Sequence, residues 1–203
     1  MHVRYTSRAF AVVLAIPLLL TGCGYNSIQT LNETALSAKH QIDVQLQRRS
    51  DLIPNLVATV KGFAAQESEV FIEVARARGG LQGALAKPGG TDPTELANAN
   101  QQLTNALGRM NVVVEAYPQL KSDQNFLRLQ DELTGTENRV AVARTDYNGA
   151  VKAYNEYIRK FPQTLTAKAT GAKPLAYFEV TDAAARAAPT VDFSKPGAAP
   201  VKK

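Results

Sequence analysis

From Asn26 onward apolar residues recur at steps of three and four: Ile28, Leu31, Ala35, Ala38, Ile42 and Leu46. Such spacing holds them on one face of a helix with about 3.6 residues per turn. Asn26, with Gln29 three residues on, is a capping signal, so the first helix is predicted from residue 27. At Arg48-Arg49-Ser50-Asp51-Leu52-Ile53-Pro54 the pattern is punctuated. A proline has no N–H to donate, and its ring crowds the carbonyl four residues back. Two readings are open: Ser50 or Asp51 caps a second helix with Pro54 in its first turn, or the proline kinks one long helix. The turn is preferred, because it makes the first two helices similar in length. The second stripe is Val57, Val60, Ala64, Phe71 and Val74, fading at Gly79-Gly80 or Gly83, with Glu67 in the apolar register.

Residues 85–92, which include Lys87-Pro88-Gly89-Gly90, read as a loop. Asp92-Pro93-Thr94-Glu95 then forms a capping box with proline at the first helical position, the strongest helix start in the chain. Leu96, Ala99, Leu103, Leu107, Met110, Val114 and Tyr117 make the third stripe, which Pro118 ends. Ser122 is the expected cap of the fourth. Its seam is Phe126, Leu129, Leu133, Thr136, Val140, Ala143, Tyr147, Val151, Tyr154, Ile158 and Phe161, closed by Pro162. At ~1.5 Å per residue that seam is about 50 Å long, so one end should project past its partners. No strand-like alternation competes. The expected fold is therefore all-α: an up-and-down four-helix bundle over residues 27–162 with a long fourth helix. An irregular segment, residues 163–193, should pack on it through Tyr177, Phe178 and Phe193. The Pro, Gly, Ala and Lys composition of residues 194–203 reads as a disordered tail.

The N-terminal residues follow another logic. Arg4 and Arg8, with no acid, precede an apolar run from Ala9 to Leu20 and then Leu20-Thr21-Gly22-Cys23. The run is too short for the roughly 20 residues a helix needs to span a bilayer; it reads as a secretory signal peptide over residues 1–22. Its last four residues resemble the lipobox of bacterial lipoproteins, which implies cleavage between Gly22 and Cys23. The resemblance also implies a diacylglyceryl group and an N-acyl chain (palmitate chemistry) on Cys23. Cys23 is the only cysteine, so no intrachain disulfide forms. Two or more acyl chains give stable anchoring. Residues 23–26 would then be a very short linker. By resemblance to the Gram-negative sorting rule, Gly24 favours the periplasmic face of the outer membrane, with the inner membrane as the alternative.

Losing residues 1–22 leaves 21 basic against 18 acidic residues, and the whole excess falls in residues 163–203. That distribution lacks the broad basic footprint of a nucleic-acid binder. The mature chain has one histidine, His40, which cannot complete a metal site or a hydrolytic triad. No Glu-x-x-His pair or G-x-S-x-G elbow occurs. No metal, no cofactor beyond the covalent lipid and no enzymatic activity are expected.

The chain further resembles the LemA family of bacterial membrane-associated helical proteins. The resemblance rests on Gln45-Leu46-Gln47-Arg48-Arg49-Ser50-Asp51-Leu52-Ile53-Pro54-Asn55-Leu56-Val57, Val60-Lys61-Gly62-Phe63-Ala64, Glu67 and Ala75-Arg76-Ala77-Arg78. It continues through Tyr117-Pro118, Leu120-Lys121, Leu129-Gln130-Asp131-Glu132-Leu133, Thr136-Glu137-Asn138-Arg139, Ala143-Arg144, Tyr147-Asn148, Tyr154-Asn155 and Phe161-Pro162. It departs from the family at the lipobox, where many relatives carry an uncleaved membrane helix, and at Gly171-Ala172, where they carry Gly-Phe. The likeness implies a helical bundle linked to envelope organisation and protein quality control.

The candidate site is the polar set in or beside the seams: Gln45, Arg48, Arg49, Asp51, Asn55, Glu67, Glu132, Glu137, Asn138, Arg139, Arg144, Asn148 and Asn155. One reading is a structural network that fixes register; the other is a docking surface. Glu132 and Arg139 would bracket a polar layer, with Glu67 reaching Arg139 or Arg144. The expected function is a membrane-tethered scaffold or adaptor with an envelope or membrane protein as partner. The alternatives are direct remodelling of anionic membrane or, less favoured, an enzyme. Oligomeric state is not specified by the sequence.

Overall fold

The computed structural model describes the main chain of residues 3–87 and 91–180, with side chains from Gly24 onward. Phe193, the tail and the side chain of Cys23 lie outside the described residues. Among those described the protein is all-helical, with α1 (Val3–Phe63), α2 (Ser68–Leu85), α3 (Pro93–Glu115), a short α4 (Pro118–Lys121), α5 (Gln124–Arg159) and α6 (Gln163–Thr170). Among them, no helix is long and apolar enough to cross a membrane.

The first two predicted helices need correction at their ends. Main-chain helix runs through residues 23–26, so Asn26 is not an N-cap and no linker interrupts the chain there. Pro54 lies inside α1. It is tolerated because the carbonyl it orphans finds another donor: Arg78 Nε of α2 bonds Ser50 O at 3.0 Å. The proline ring itself is on the exposed side.

The chain reverses at residues 64–67. Ala64 N–H still bonds Val60 O, and Glu67 N–H bonds Ala64 O at 3.1 Å. Helix α2 then passes through Gly79, Gly80 and Gly83, where each glycine costs about 1 kcal/mol relative to alanine. Leu81 and Ala84 beyond them are buried, and that burial extends the helix to Leu85.

Helix α3 starts as its sequence dictates, with Pro93 in its first turn and the Asp92 carboxylate accepting from Thr94 N–H at 2.8 Å. It ends at Glu115, before Pro118, and Pro118 opens α4. The cap of α5 is Asp123, which accepts from Phe126 N–H at 2.9 Å. Ser122 Oγ turns back to the carbonyls of Pro118 and Gln119. The predicted α5 seam is buried from Phe126 to Ile158, with Leu133 half-buried. Phe161 falls outside the helix and is 79% exposed.

Helices α1 and α5 form the longest contact and run antiparallel, with Gln45 beside Arg139 and Ile28 beside Tyr154 and Ile158. The α2–α3 hairpin packs along the C-terminal half of α1. One continuous core contains Leu46, Ile53, Val60, Leu81, Leu103, Met110 and Val140. Toward the N-terminal half of α1 the hairpin runs out, and its place is taken by α6 and the extended residues 172–180. Here Ile28, Tyr154, Ile158 and Ala167 form a second small core. Phe178 joins the main core, while Tyr177 points outward.

Candidate functional site

Where the hairpin meets the long pair, a polar cluster runs from one buried arginine out to the surface. Arg49 is 3% exposed; its guanidinium bonds Asn100 Oδ1 of α3 at 2.8 Å and lies 3.6 Å from the Glu137 carboxylate of α5. Burial lowers its pKa, and the Glu137 charge opposes that shift. One turn away Arg139 Nε donates to Gln45 Oε1 at 3.2 Å. Four of the sequence-selected residues, Gln45, Arg49, Glu137 and Arg139, therefore gather on facing turns of α1 and α5.

The rest of that set divides. Glu67 is not near Arg139 or Arg144: it lies in the turn before α2 and accepts from Tyr117 OH, to which Gln66 also donates. The error has a physical cause, since the helix ends before Glu67 and its place in the apolar register is lost. Asp51 accepts from Gln47 one turn back. Arg48, Asn55, Glu132, Asn138 and Arg144 are exposed, so Glu132 and Arg139 bracket no buried layer. Asn100 and Tyr117 complete these networks and were not selected from sequence. Asn100 sits among ordinary residues of α3, and Tyr117 reads as the last member of an apolar stripe, so neither signals a polar role locally.

Asn148 and Asn155 serve the C-terminal segment. Asn155 donates to Leu175 O at 2.9 Å and accepts from Leu175 N–H at 2.8 Å. Asn148 treats Phe178 in the same way, at 3.4 and 2.9 Å. A primary amide offers a donor and an acceptor side by side, so each asparagine substitutes for one residue of a neighbouring strand. Tyr147 OH adds a bond to Ala176 O at 2.8 Å. Its phenol is pushed up to about 12, chiefly by burial and then by the carboxylates of Asp92 and Asp43. Asp43 is itself raised by burial, with Lys39 and His40 opposing.

This strap covers one side of the lower α1–α5 pair. The other side is an open groove of about 1060 Å³ that runs from Gln29 to Gln45 on α1 and from Arg139 to Asp146 on α5. Its floor is built of small side chains, including Thr34, Ser37, Ala38 and Ala143. Among the described residues no group of three or more His, Cys, Asp or Glu side chains is placed to hold a metal ion.

Fold and site together define an all-helical protein with a strapped helix pair, a polar cluster around buried Arg49 and a long open groove. The LemA family matches residues 38–193, and the chain belongs to it. It is similar to magnetosome proteins MamQ 2 and MamQ 1 of Paramagnetospirillum magneticum, 32% identical to each over 88% of this chain and 72% of the relative. It is also similar to magnetosome protein MamQ of Magnetospirillum gryphiswaldense, 31% identical over 76% of this chain and 64% of the relative.

Proposed function

We propose that the protein is a lipid-anchored, non-enzymatic scaffold of the bacterial envelope, acting in envelope organisation or protein quality control. Cleavage after Gly22 leaves Cys23 carrying diacylglycerol and an N-acyl chain, which hold the molecule on the periplasmic face of a membrane. Helices α1, α2, α3 and α5 make an up-and-down four-helix bundle above it. The groove on the α1–α5 pair is the observation that carries this reading. It opens at Gln29, six residues from Cys23, and the small side chains of its floor let a further helix approach closely. The partner is a helix of another envelope protein. Likeness to magnetosome proteins supports an organising role at a membrane.

Photo-crosslinking residues placed singly along α1 in living cells test this. Adducts of one discrete protein from positions 30, 34, 37 and 41, and none from positions 32, 36 and 39 on the strap side, are expected. Cys23→Ser should abolish both the adducts and incorporation of labelled fatty acid. Equal labelling from both faces, or none from the groove, would refute the scaffold. A second reading, direct action on anionic lipid, draws on the acid-free end of the molecule around Gly24.

A further inference from the structure

Gly24 is buried, although it follows the residue proposed to carry the lipid. A Cβ built there would lie 3.3 Å from Thr166 Oγ1 and 3.9 Å from Gln163 Cγ. The backbone of α1 and the body of α6 are thus in close contact at the residue next to Cys23. Consecutive Cα atoms are about 3.8 Å apart, so an acyl chain on Cys23 brings α6 to the level of the lipid headgroups.

What α6 and its flanks present there is unusual for a surface facing water alone. Phe161 is 79% exposed, Leu165 58% and Tyr25 46%. Between Glu156 and Glu179 the sequence contains Arg159, Lys160, Lys168 and Lys173 and no acid, and residues 24–32 of the adjoining α1 contain none either. All four basic side chains are exposed. The apolar residues of this end that point inward, Ile28, Tyr154, Ile158 and Ala167, already form a closed core. Exposed Phe161 and Leu165 therefore belong to an outward face, interleaved with cations.

We infer that this end, made of α6, the α5–α6 junction and the turn of α1 that begins at Gly24, is a docking surface for anionic phospholipid headgroups that seats the bundle on its membrane. The inference rests on the lipid-anchor reading for its geometry, but its charge and apolar content stand apart from it. Exposed aromatic and aliphatic side chains enter the headgroup boundary, and each cation near an anionic surface strengthens partitioning by about fivefold. Seating by α6 also fixes the tilt of the α1–α5 pair, and so the direction in which its groove faces.

The test uses the full lipidated protein with Ala169→Cys, an exposed α6 position one turn beyond Leu165. The new thiol is coupled to an environment-sensitive fluorophore, and Gly62→Cys at the far end serves as control. Label stoichiometry reports Cys23 separately: one dye per chain if its sulfur is lipidated, two if it is free. On phosphatidylcholine vesicles containing phosphatidylglycerol, the α6 dye should shift to the blue, and molar salt should reverse the shift. Combined Lys160→Gln, Lys168→Gln and Lys173→Gln should weaken headgroup contact by roughly 10²-fold, and Phe161→Ser with Leu165→Ser should abolish the shift. The Gly62 dye should not respond. A dye that stays water-exposed on both vesicle types, while the chain remains bound, overturns the docking surface and leaves the anchor standing. If instead the chain leaves phosphatidylcholine vesicles, the anchor reading fails. Partitioning to phosphatidylglycerol vesicles with and without the three lysines then decides the docking surface by itself.

Discussion

The proline inside α1 is held by a residue 24 positions away in sequence, and that dependence makes a quantitative prediction. Pro54 supplies no N–H to Ser50 O, and Ser50 is fully buried, so the carbonyl relies on Arg78 Nε at 3.0 Å. Arg78→Met keeps the apolar stem and removes the donor. A buried carbonyl left without a partner costs about 1–3 kcal/mol, toward the upper end when the lost donor was charged. Pro54→Ala gives the backbone its N–H back and relieves the ring clash, so it should be neutral or stabilising by itself. In that background Arg78→Met should cost only about 0.5 kcal/mol, which leaves a coupling of about 1–2 kcal/mol. Urea unfolding followed by circular dichroism at 222 nm, in detergent, yields the four stabilities of the cycle, provided the m-values agree. If Arg78→Met costs the same with proline and with alanine at position 54, Arg78 is not what allows helix α1 to continue, and the argument is wrong.

The remaining predictions concern single side chains. Tyr147→Phe should lose about 1 kcal/mol with its bond to Ala176 O. Because the folded phenol titrates at about 12 against an ordinary 10, its contribution is complete below pH 10 and is lost as pH rises toward 12. The stability gap between wild type and variant, followed by urea titration, should therefore shrink over that range; a gap independent of pH would contradict the assignment. Asn155→Ala strips Leu175 of both main-chain partners and should cost about 2 kcal/mol. Hydrogen exchange over residues 172–180 should rise while that of α2 and α3 does not. Gly80→Ala places a methyl group where nothing lies within 4 Å, so it should stabilise by about 0.5–1 kcal/mol in thermal unfolding. Gly24→Leu should push α6 away at a cost of about 1–3 kcal/mol and, by loosening the main chain there, speed tryptic cleavage after Lys160 and Lys168; an unchanged rate would show that the contact with Thr166 is not tight.

Much of the fold was legible because apolar spacing is a local signal. Leu96 to Val114 and Phe126 to Ile158 lie where their periodicity puts them, and Asp92-Pro93 starts α3 as written. Two of the misreadings share one cause, a partner distant in sequence. Pro54 looked like a boundary because the donor that rescues Ser50 lies on another helix. The turn at residues 64–67 carries neither Pro nor Gly of its own and is tied by Tyr117 from the end of α3, so the stripe was carried straight across it. Ser122 and Asp123 are both capping residues, and only the geometry of Phe126 N–H separates them. In the polar set, Gln45, Arg49, Glu137 and Arg139 come together as residues on facing seams should. Asn148 and Asn155 bond backbone rather than side chains, and nothing in their own helix announces the extended chain beside them.

The two asparagines that grip that chain sit seven positions apart on α5, about 10.5 Å of helical rise. Their quarry, Leu175 and Phe178, is three positions apart in extended conformation, about 10 Å. Seven helical steps match three extended ones, whereas two or four extended steps, about 7 or 13 Å, would not. Sliding the segment by one residue would move every main-chain group by ~3.3 Å, taking Phe178 out of its place in the main core. A one-residue deletion between 175 and 178 should therefore unfasten the whole segment, whereas lengthening at Gly171, ahead of the first grip, changes neither spacing.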